Sequence, residues 1–306
     1  MGIIPPKWFL NMEKIHLIGS STLTGKSFVH LFSNKFQIIS YSRKNKNSVF
    51  LDINNLKTYS NIDYEKLNDS YIVSFAPIWV TAKFLSYLSK IRKYKSKHIK
   101  AVICFSTTSV LTKRFATNRK DKELVDTLLS SEKNIYKICK NLEISCLVIR
   151  PTLIYGRCGS KTDNNLFKLA KIIKFLPFVI LPKNIGLRQP IHAFQLAKIT
   201  FFYLKKFSKL KDRNFTFEGV NIGGDEVLSY RDMISRILNE RNKTIFSNKK
   251  IFTVPNFLFY IIISPFLFIS PKIFETIFRI SANFSGFTKC SDLIGESAKK
   301  FPYINY

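Results

Sequence analysis

Residues 16–29, HLIGSSTLTGKSFV, close an apolar run with a glycine-containing loop that continues into Gly25-Lys26-Ser27. Such a loop can hold phosphate. Glycines let the backbone approach the ligand, and the N–H groups at the start of the next helix point toward the charge. Two loop types compete. A P-loop for ATP or GTP needs four residues between its glycines, then Lys and Ser/Thr. Here five residues separate Gly19 from Gly25. A dinucleotide loop needs glycines at relative positions 1, 3 and 6, or 1, 4 and 7 in a related variant. Gly19 and Gly25 supply positions 1 and 7, and Thr22 stands at position 4. A second polar cluster, FSTTSV at 105–110, ends another apolar run with the hydroxyls of Thr107 and Thr108.

The remaining reactive side chains are dispersed. Cys104, Cys139, Cys146, Cys158 and Cys290 form no CxxC pair and lie at no zinc spacing from a histidine. No metal site is expected. Odd, scattered cysteines indicate reduced thiols and a cytoplasmic protein. The sequence carries 49 Lys+Arg against 20 Asp+Glu, a formal charge of +29. That balance suits nucleic acid or an anionic membrane surface. The densest basic runs, at 42–47, 90–100 and 205–213, lack interleaved aromatic motifs, so no nucleic-acid partner is expected. No secretory signal is expected, because MGIIPPKWFLN has two prolines and too short an apolar core; residues 1–13 read as an N-terminal extension, with Met12 just before the first strand.

The elements that must position these residues alternate. Runs at 14–19, 37–42, 70–76, 101–106 and 145–150 are almost continuously apolar, as strands covered on both faces are. Helix patterns fall at 25–34, 78–95 and 121–141. The alternation predicts an α/β fold with a doubly wound parallel sheet. Ligands of such sheets bind beyond the carboxyl ends of the strands. The loop at 19–25, Ala76-Pro77 and Ser106–Ser109 all lie there. Farther on, helices are expected at 164–175, 193–206 and 229–240, and a strand at 215–224. The stretch 254–270, VPNFLFYIIISPFLFIS, is too short and too interrupted by Pro265 to span a bilayer. It reads as a helical cap or as an interfacial membrane contact.

VIRPTLIYG at 148–156, with Arg150-Pro151 and Tyr155-Gly156, is the most informative stretch. It resembles the segment after the sixth strand of extended short-chain dehydrogenase/reductases, the NAD-dependent epimerase/dehydratase family. IHLIGSSTLTG (15–25), FSTTSV (105–110), LRQPIHAFQLAK (187–198) and GVNIGGDEVLSYRDMI (219–234) are similar to further family segments in the same order. APIW (76–79), STTSVLTK (106–113), RPTLIYG (150–156) and GLRQP (186–190) together resemble a divergent branch of nucleotide-sugar epimerases and reductases in surface-polysaccharide pathways. The resemblance implies a Rossmann-type domain at 14–155 and a smaller substrate lobe at 156–306, with partly interleaved strands and a hydrophobic helical C-terminal part.

It also implies roles. Gly19, Ser21, Thr22, Leu23, Gly25, Ser42, Arg43, Asp52, Ala76, Pro77 and Pro151 would bind NADP or NAD. Ser42-Arg43-Lys44 replaces the acidic residue that selects NAD, which favours NADP. Asn165, Arg188 and Gln189 resemble positions facing a nucleotide-sugar, and an arginine suits a diphosphate. His192 reads as structural. A homodimer is admitted.

The family's Tyr-x-x-x-Lys is missing from its place. Tyr136–Lys140 has the pattern, but lies only 14 residues before Arg150, where about 25 are expected from the resemblance. Aligning Glu132 with the family's helix glutamate puts Leu124 and Leu128 at the Tyr and Lys positions. Thr107 and Thr108 remain as hydroxyl candidates, and Lys113 and Tyr155 as substitute acids. The expected function is an NAD(P)-dependent epimerase or reductase acting on a nucleotide-sugar. The alternative is a non-catalytic NAD(P)-binding or membrane-associated scaffold protein.

Overall fold

The computed structural model describes residues 12–43, 48–91, 99–114, 118–163, 165–210, 215–241, 251–269, 274 and 277–302. Residues 1–11 of the expected extension, and Lys44, lie outside that set. The chain forms two compact units. The first takes the residues up to Pro151, then Cys158–Lys161 and Ala193–Ile222. The second takes Thr152–Arg157, Thr162–His192 and the residues from Gly223 onward.

The first unit is a Rossmann-like α/β fold. Its elements are β1 (Lys14–Ile18), α1 (Leu23–Phe32), β2 (Gln37–Ser42), β3 (Val49–Phe50), β4 (Ser70–Ser74), α2 (Ile78–Lys90), β5 (Ile99–Phe105), α3 (Arg119–Asn141), β6 (Ser145–Pro151), α4 (Ala193–Ser208) and β7 (Phe217–Gly223). The strands lie side by side in the order β7-β6-β5-β4-β1-β2-β3. Every pairing among them is parallel. The order reverses at β1, so the glycine loop after β1 stands at the switch point where such sheets bind ligands.

Side-chain alternation sorts the two faces. Ile18, Ile72, Val102, Cys104, Cys146 and Val148 meet Ile78, Phe84, Leu85 and Leu88 of α2 and Leu128, Ile135 and Cys139 of α3 in one core. Cys104, Cys139 and Cys146 are free and buried there, and mutual hydrogen bonding with burial pushes the Cys146 thiol up. On α1, Phe28 tilts against Phe75 at 5.8 Å, and Phe32 stacks on Phe201 of α4 at 4.4 Å. Helix 193–208 and strand 217–223 therefore belong to the first unit, although they follow 156 in the chain. The chain crosses between the units at 151/152, 157/158, 161/162, 192/193 and 222/223.

The second unit has its own apolar centre. Tyr155, Leu166, Met233, Ile237 and Phe301 pack together, and Ile173, Val179, Leu181 and Ile234 form a neighbouring cluster. Strands Val179–Pro182 and Ile251–Val254 pair in parallel and lead into helix Asn256–Ile263. Among the described residues no helix is long and apolar enough to cross a membrane.

Candidate functional site

The glycine turn is built by close approach. Gly19 has φ of +77°, and a Cβ there would lie 2.7 Å from the amide nitrogen of Ala76. A Cβ on Gly25 would lie 2.4 Å from the carbonyl oxygen of Gly19. No larger residue fits at either place without moving backbone. Thr22 caps α1. Its Oγ1 accepts from the Gly25 N–H at 3.0 Å and donates to the Gly19 carbonyl at 2.8 Å. The hydroxyl thus ties the loop to the helix at the position where the usual pattern has a glycine. The first main-chain helical bond runs from Lys26 N–H to the Thr22 carbonyl. The amides of Leu23 and Thr24 come before it, at the positive end of the helix dipole. Ser27 is buried and donates to the Leu23 carbonyl at 2.9 Å. Ser27 is fully buried and the glycines are one residue too far apart, so the likeness of Gly25-Lys26-Ser27 to a P-loop is coincidental.

A cavity of about 330 Å³ opens beside this turn. Eight of the eleven residues expected to bind a dinucleotide line it: Gly19, Ser21, Thr22, Ser42, Arg43, Asp52, Ala76 and Pro77. Of the other three, Leu23 is buried at the helix start, Gly25 packs on Gly19, and Pro151 uses its carbonyl to accept from the Thr108 amide and hydroxyl. Sequence reasoning missed the apolar walls. Tyr41, Leu51, Ile53 and Trp79 also line the cavity. Trp79 was legible in principle, as a large aromatic in the first turn of a helix that opens at a strand's carboxyl end. The fit to an adenosine diphosphate group rests on three observations. Glycine backbone forms one wall, the amides that open α1 lie beside it as a phosphate would require, and apolar side chains with Asp52 line the rest as a base would require.

The candidate catalytic groups are distributed over both units. In the first unit, Thr108 is buried and its Oγ1 donates to the Pro151 carbonyl at 3.2 Å. Thr107 is half-buried, and its Oγ1 accepts from the Ser109 amide at 3.2 Å. Of the two, Thr107 is the hydroxyl closer to solvent. Lys113 Nζ donates to Asp121 Oδ1 at 2.8 Å, and Asp121 also accepts from the Asn118 side chain, so the lysine anchors the start of α3. Tyr155 is a core residue of the second unit, edge-on to His192 and Phe301. Its expected role as a substitute acid conflicts with that packing.

α3 carries Leu124, Leu128, Glu132, Tyr136 and Lys140. Glu132 receives two bonds from Arg150 Nε, at 3.0 and 3.2 Å, and one from Nη2 at 2.5 Å. The bond to Glu132 holds the Arg150 guanidinium above its ordinary pKa. With Glu132 pinned to β6, Leu128 lies one turn toward the helix start. It is fully buried in the core, with Leu124 packed against the same cluster. Tyr136 sits about 26 Å along α3 from Arg119 at 1.5 Å per residue, on the Phe217 ring at 5.1 Å. Tyr136 and Lys140 are a helix-surface pair.

In the second unit, Arg188 and Gln189 serve the framework. Arg188 donates to the carbonyls of Leu187, Ala282 and Arg279, and its guanidinium lies 4.4 Å from the Phe284 ring centre. Gln189 donates to the Gly224 and Phe287 carbonyls and accepts from the Phe287 amide. Both were expected to face a nucleotide-sugar, with Arg188 suited to a diphosphate; in the fold their side-chain donors bond main-chain carbonyls of their own unit, as buried donors must find partners. Asn165 is exposed, next to Asp163, whose Oδ1 accepts the amides that open helix Leu166–Phe175. His192 is buried against Gly156, and burial lowers its pKa to about 4.

No protein-family model matches this sequence, and no curated protein matches it significantly. Solved structures match over most of its length. UDP-glucuronic acid 4-epimerase from Bacillus cereus, in complex with UDP-glucuronic acid and NAD, is 16% identical over 94% of this chain and 95% of its own, with a TM-score of 0.61. A UDP-galactose 4-epimerase is 13% identical over 94% of each chain, with a TM-score of 0.62. dTDP-glucose 4,6-dehydratase from Bacillus anthracis strain Ames, in complex with NAD, is 19% identical over 80% and 85%, with a TM-score of 0.56. The chain therefore has the fold of the extended short-chain dehydrogenase/reductases that act as nucleotide-sugar epimerases and dehydratases.

Proposed function

We propose that this chain is an NAD(P)-dependent epimerase or reductase acting on a nucleotide-sugar in surface-polysaccharide synthesis. The observation that carries the reading is the cavity at the switch point, lined by the glycine turn, Ser42, Arg43, Asp52, Ala76 and Pro77. Structural neighbours that hold NAD support it. Gly19 and the opening amides of α1 would hold the diphosphate. Asp52 would meet the base, and Arg43 suits the extra phosphate of NADP. A bound nicotinamide would supply hydride exchange with a sugar carbon. Thr107 would donate to the oxygen on that carbon, and Asn165 is the exposed polar candidate for the sugar-nucleotide. Five free thiols support a reducing compartment, the cytoplasm.

Titration with NADH and NADPH tests the reading, followed by incubation with UDP- and dTDP-sugars monitored by proton NMR. NADPH is expected to bind more tightly, and an epimerised or reduced sugar to appear. Absence of binding for either nucleotide at about millimolar concentration would overturn the proposal.

A second reading rests on Leu124 and Leu128. If both family positions are apolar and Leu128 is core, the chain binds the nucleotide without turnover. Tight NAD(P)H binding with no conversion of any sugar-nucleotide would favour it.

A further inference from the structure

The second unit carries an apolar surface that its own core does not cover. Residues 256–269, NFLFYIIISPFLFI, contain no charged side chain. Helix Asn256–Ile263 packs inward through Phe259 and Ile263, which are buried, and through Tyr260, whose ring lies 5.3 Å from that of Phe278. Positions 257, 258, 261 and 262 face away from that stripe. Phe257 is 67% exposed and Ile261 61%, and in the next helix, Pro265–Ile269, Phe268 is 87% and Ile269 76% exposed. Phe178, just before strand Val179–Pro182, and Phe252 on the paired strand form an edge-on pair at 5.7 Å and are also exposed. A helix that is apolar all round is normally buried. A cluster of large exposed apolar groups marks an interaction surface.

The charge of the neighbouring sequence points to the occupant. From 241 to 280 the basic residues are Arg241, Lys243, Lys249, Lys250, Lys272 and Arg279, and the one acid is Glu275. Lys183 is exposed beside the start of helix Asn256–Ile263, its amide bonded to the Val254 carbonyl and the next amide to Asn256 Oδ1. The whole chain carries +29. We propose that this face docks on an anionic lipid bilayer. Phe257, Ile261, Phe268 and Ile269 would enter the headgroup boundary, and the basic flanks would meet lipid phosphates. Eight helical residues extend only about 12 Å, so the helix lies in the interface and does not span it. An uncharged apolar partner would not need the flanking lysines, and a second copy of a +29 chain would meet its own charge.

Flotation of the full chain tests this, with phosphatidylcholine vesicles made with and without phosphatidylglycerol. Wild type is expected to float with the anionic vesicles, and less so as salt screens the charges. Phe268→Glu/Ile269→Glu is expected to weaken flotation about tenfold or more. Lys183→Glu should weaken it on anionic vesicles only. Phe268→Trp keeps the apolar character, and its added fluorescence is expected to shift blue on anionic vesicles. A wild type that stays unbound overturns the proposal, as does a double variant that floats unchanged or a tryptophan whose emission does not move. A wild type that self-associates and becomes monomeric in the double variant also overturns it, and gives the face to a second copy.

Discussion

Thr22 and Gly25 show how one loop serves two demands. The close approach of α1 to β1 leaves no room at Gly25, where a Cβ would meet the Gly19 carbonyl oxygen at 2.4 Å. Gly25→Ala is expected to destabilise the first unit by about 1–3 kcal/mol, the range for forcing an extra methyl into a packed site. Denaturant unfolding measures it, and a neutral result would mean that the loop is not held as described. Thr22 puts a branched side chain where the usual pattern has a glycine. Its hydroxyl instead satisfies the Gly25 amide, a role a glycine cannot fill. Sequence patterns register the lost glycine, and only the hydrogen bonds show the compensation.

At the scale of elements, α3 is fixed by a buried ion pair. Glu132 and Arg150 are both largely shielded from solvent, and Arg150 passes over Gly219, where a Cβ would lie 2.8 Å from Nη1. Removing one partner leaves a charge stranded. Glu132→Ala is therefore expected to cost about 3–5 kcal/mol in denaturant unfolding, with Glu132→Leu/Arg150→Met recovering most of it. Equal stability of Glu132→Ala and wild type would show that the pair does not hold the helix. The same pair makes the register readable. Counting back from Arg150 along the sequence places Leu128, Glu132 and Tyr136 on successive turns of α3, because a helix advances a constant distance per residue. Strands and helices of the first unit were legible for a similar reason, since apolar runs of strand length are separated by patterns of helical period. Arg188 and Gln189 were not legible as clamps. Their partners, Ala282, Arg279 and Phe287, lie some 90 residues away in sequence, and no local pattern announces such bonds.

For the molecule as a whole, among the described residues each unit carries one buried, neutral histidine in its packing. In the first unit His16 bonds the Tyr41 hydroxyl and the Lys66 carbonyl at 2.9 Å each, and in the second His192 lies against Gly156. Burial lowers both to about 4 from the usual 6.5. As pH falls below 6.5 the unfolded chain takes up protons first. Stability is then held in full above 6.5, falls between 6.5 and 4, and loses nothing further from these groups below 4. The loss should reach about 2 kcal/mol per histidine by pH 5. Comparing unfolding at pH 7 and pH 5, His16→Gln should show a drop smaller than wild type by about that amount, and an identical drop would contradict it.

The sequence by itself determined the parallel α/β architecture, the glycine turn at a strand end, and the absence of a Tyr-x-x-x-Lys at its usual distance from Arg150. These depend on composition, period and spacing along the chain. Tertiary structure alone decided that residues 193–222 return to the first unit, that eight expected residues surround one cavity, and that Thr22 caps the helix behind it. It also decided that the apolar stretch at 256–269 buries one stripe and leaves the other exposed. Those facts depend on which surfaces meet across long separations in the chain, and apolar composition reads the same on the buried side of a helix as on the open side.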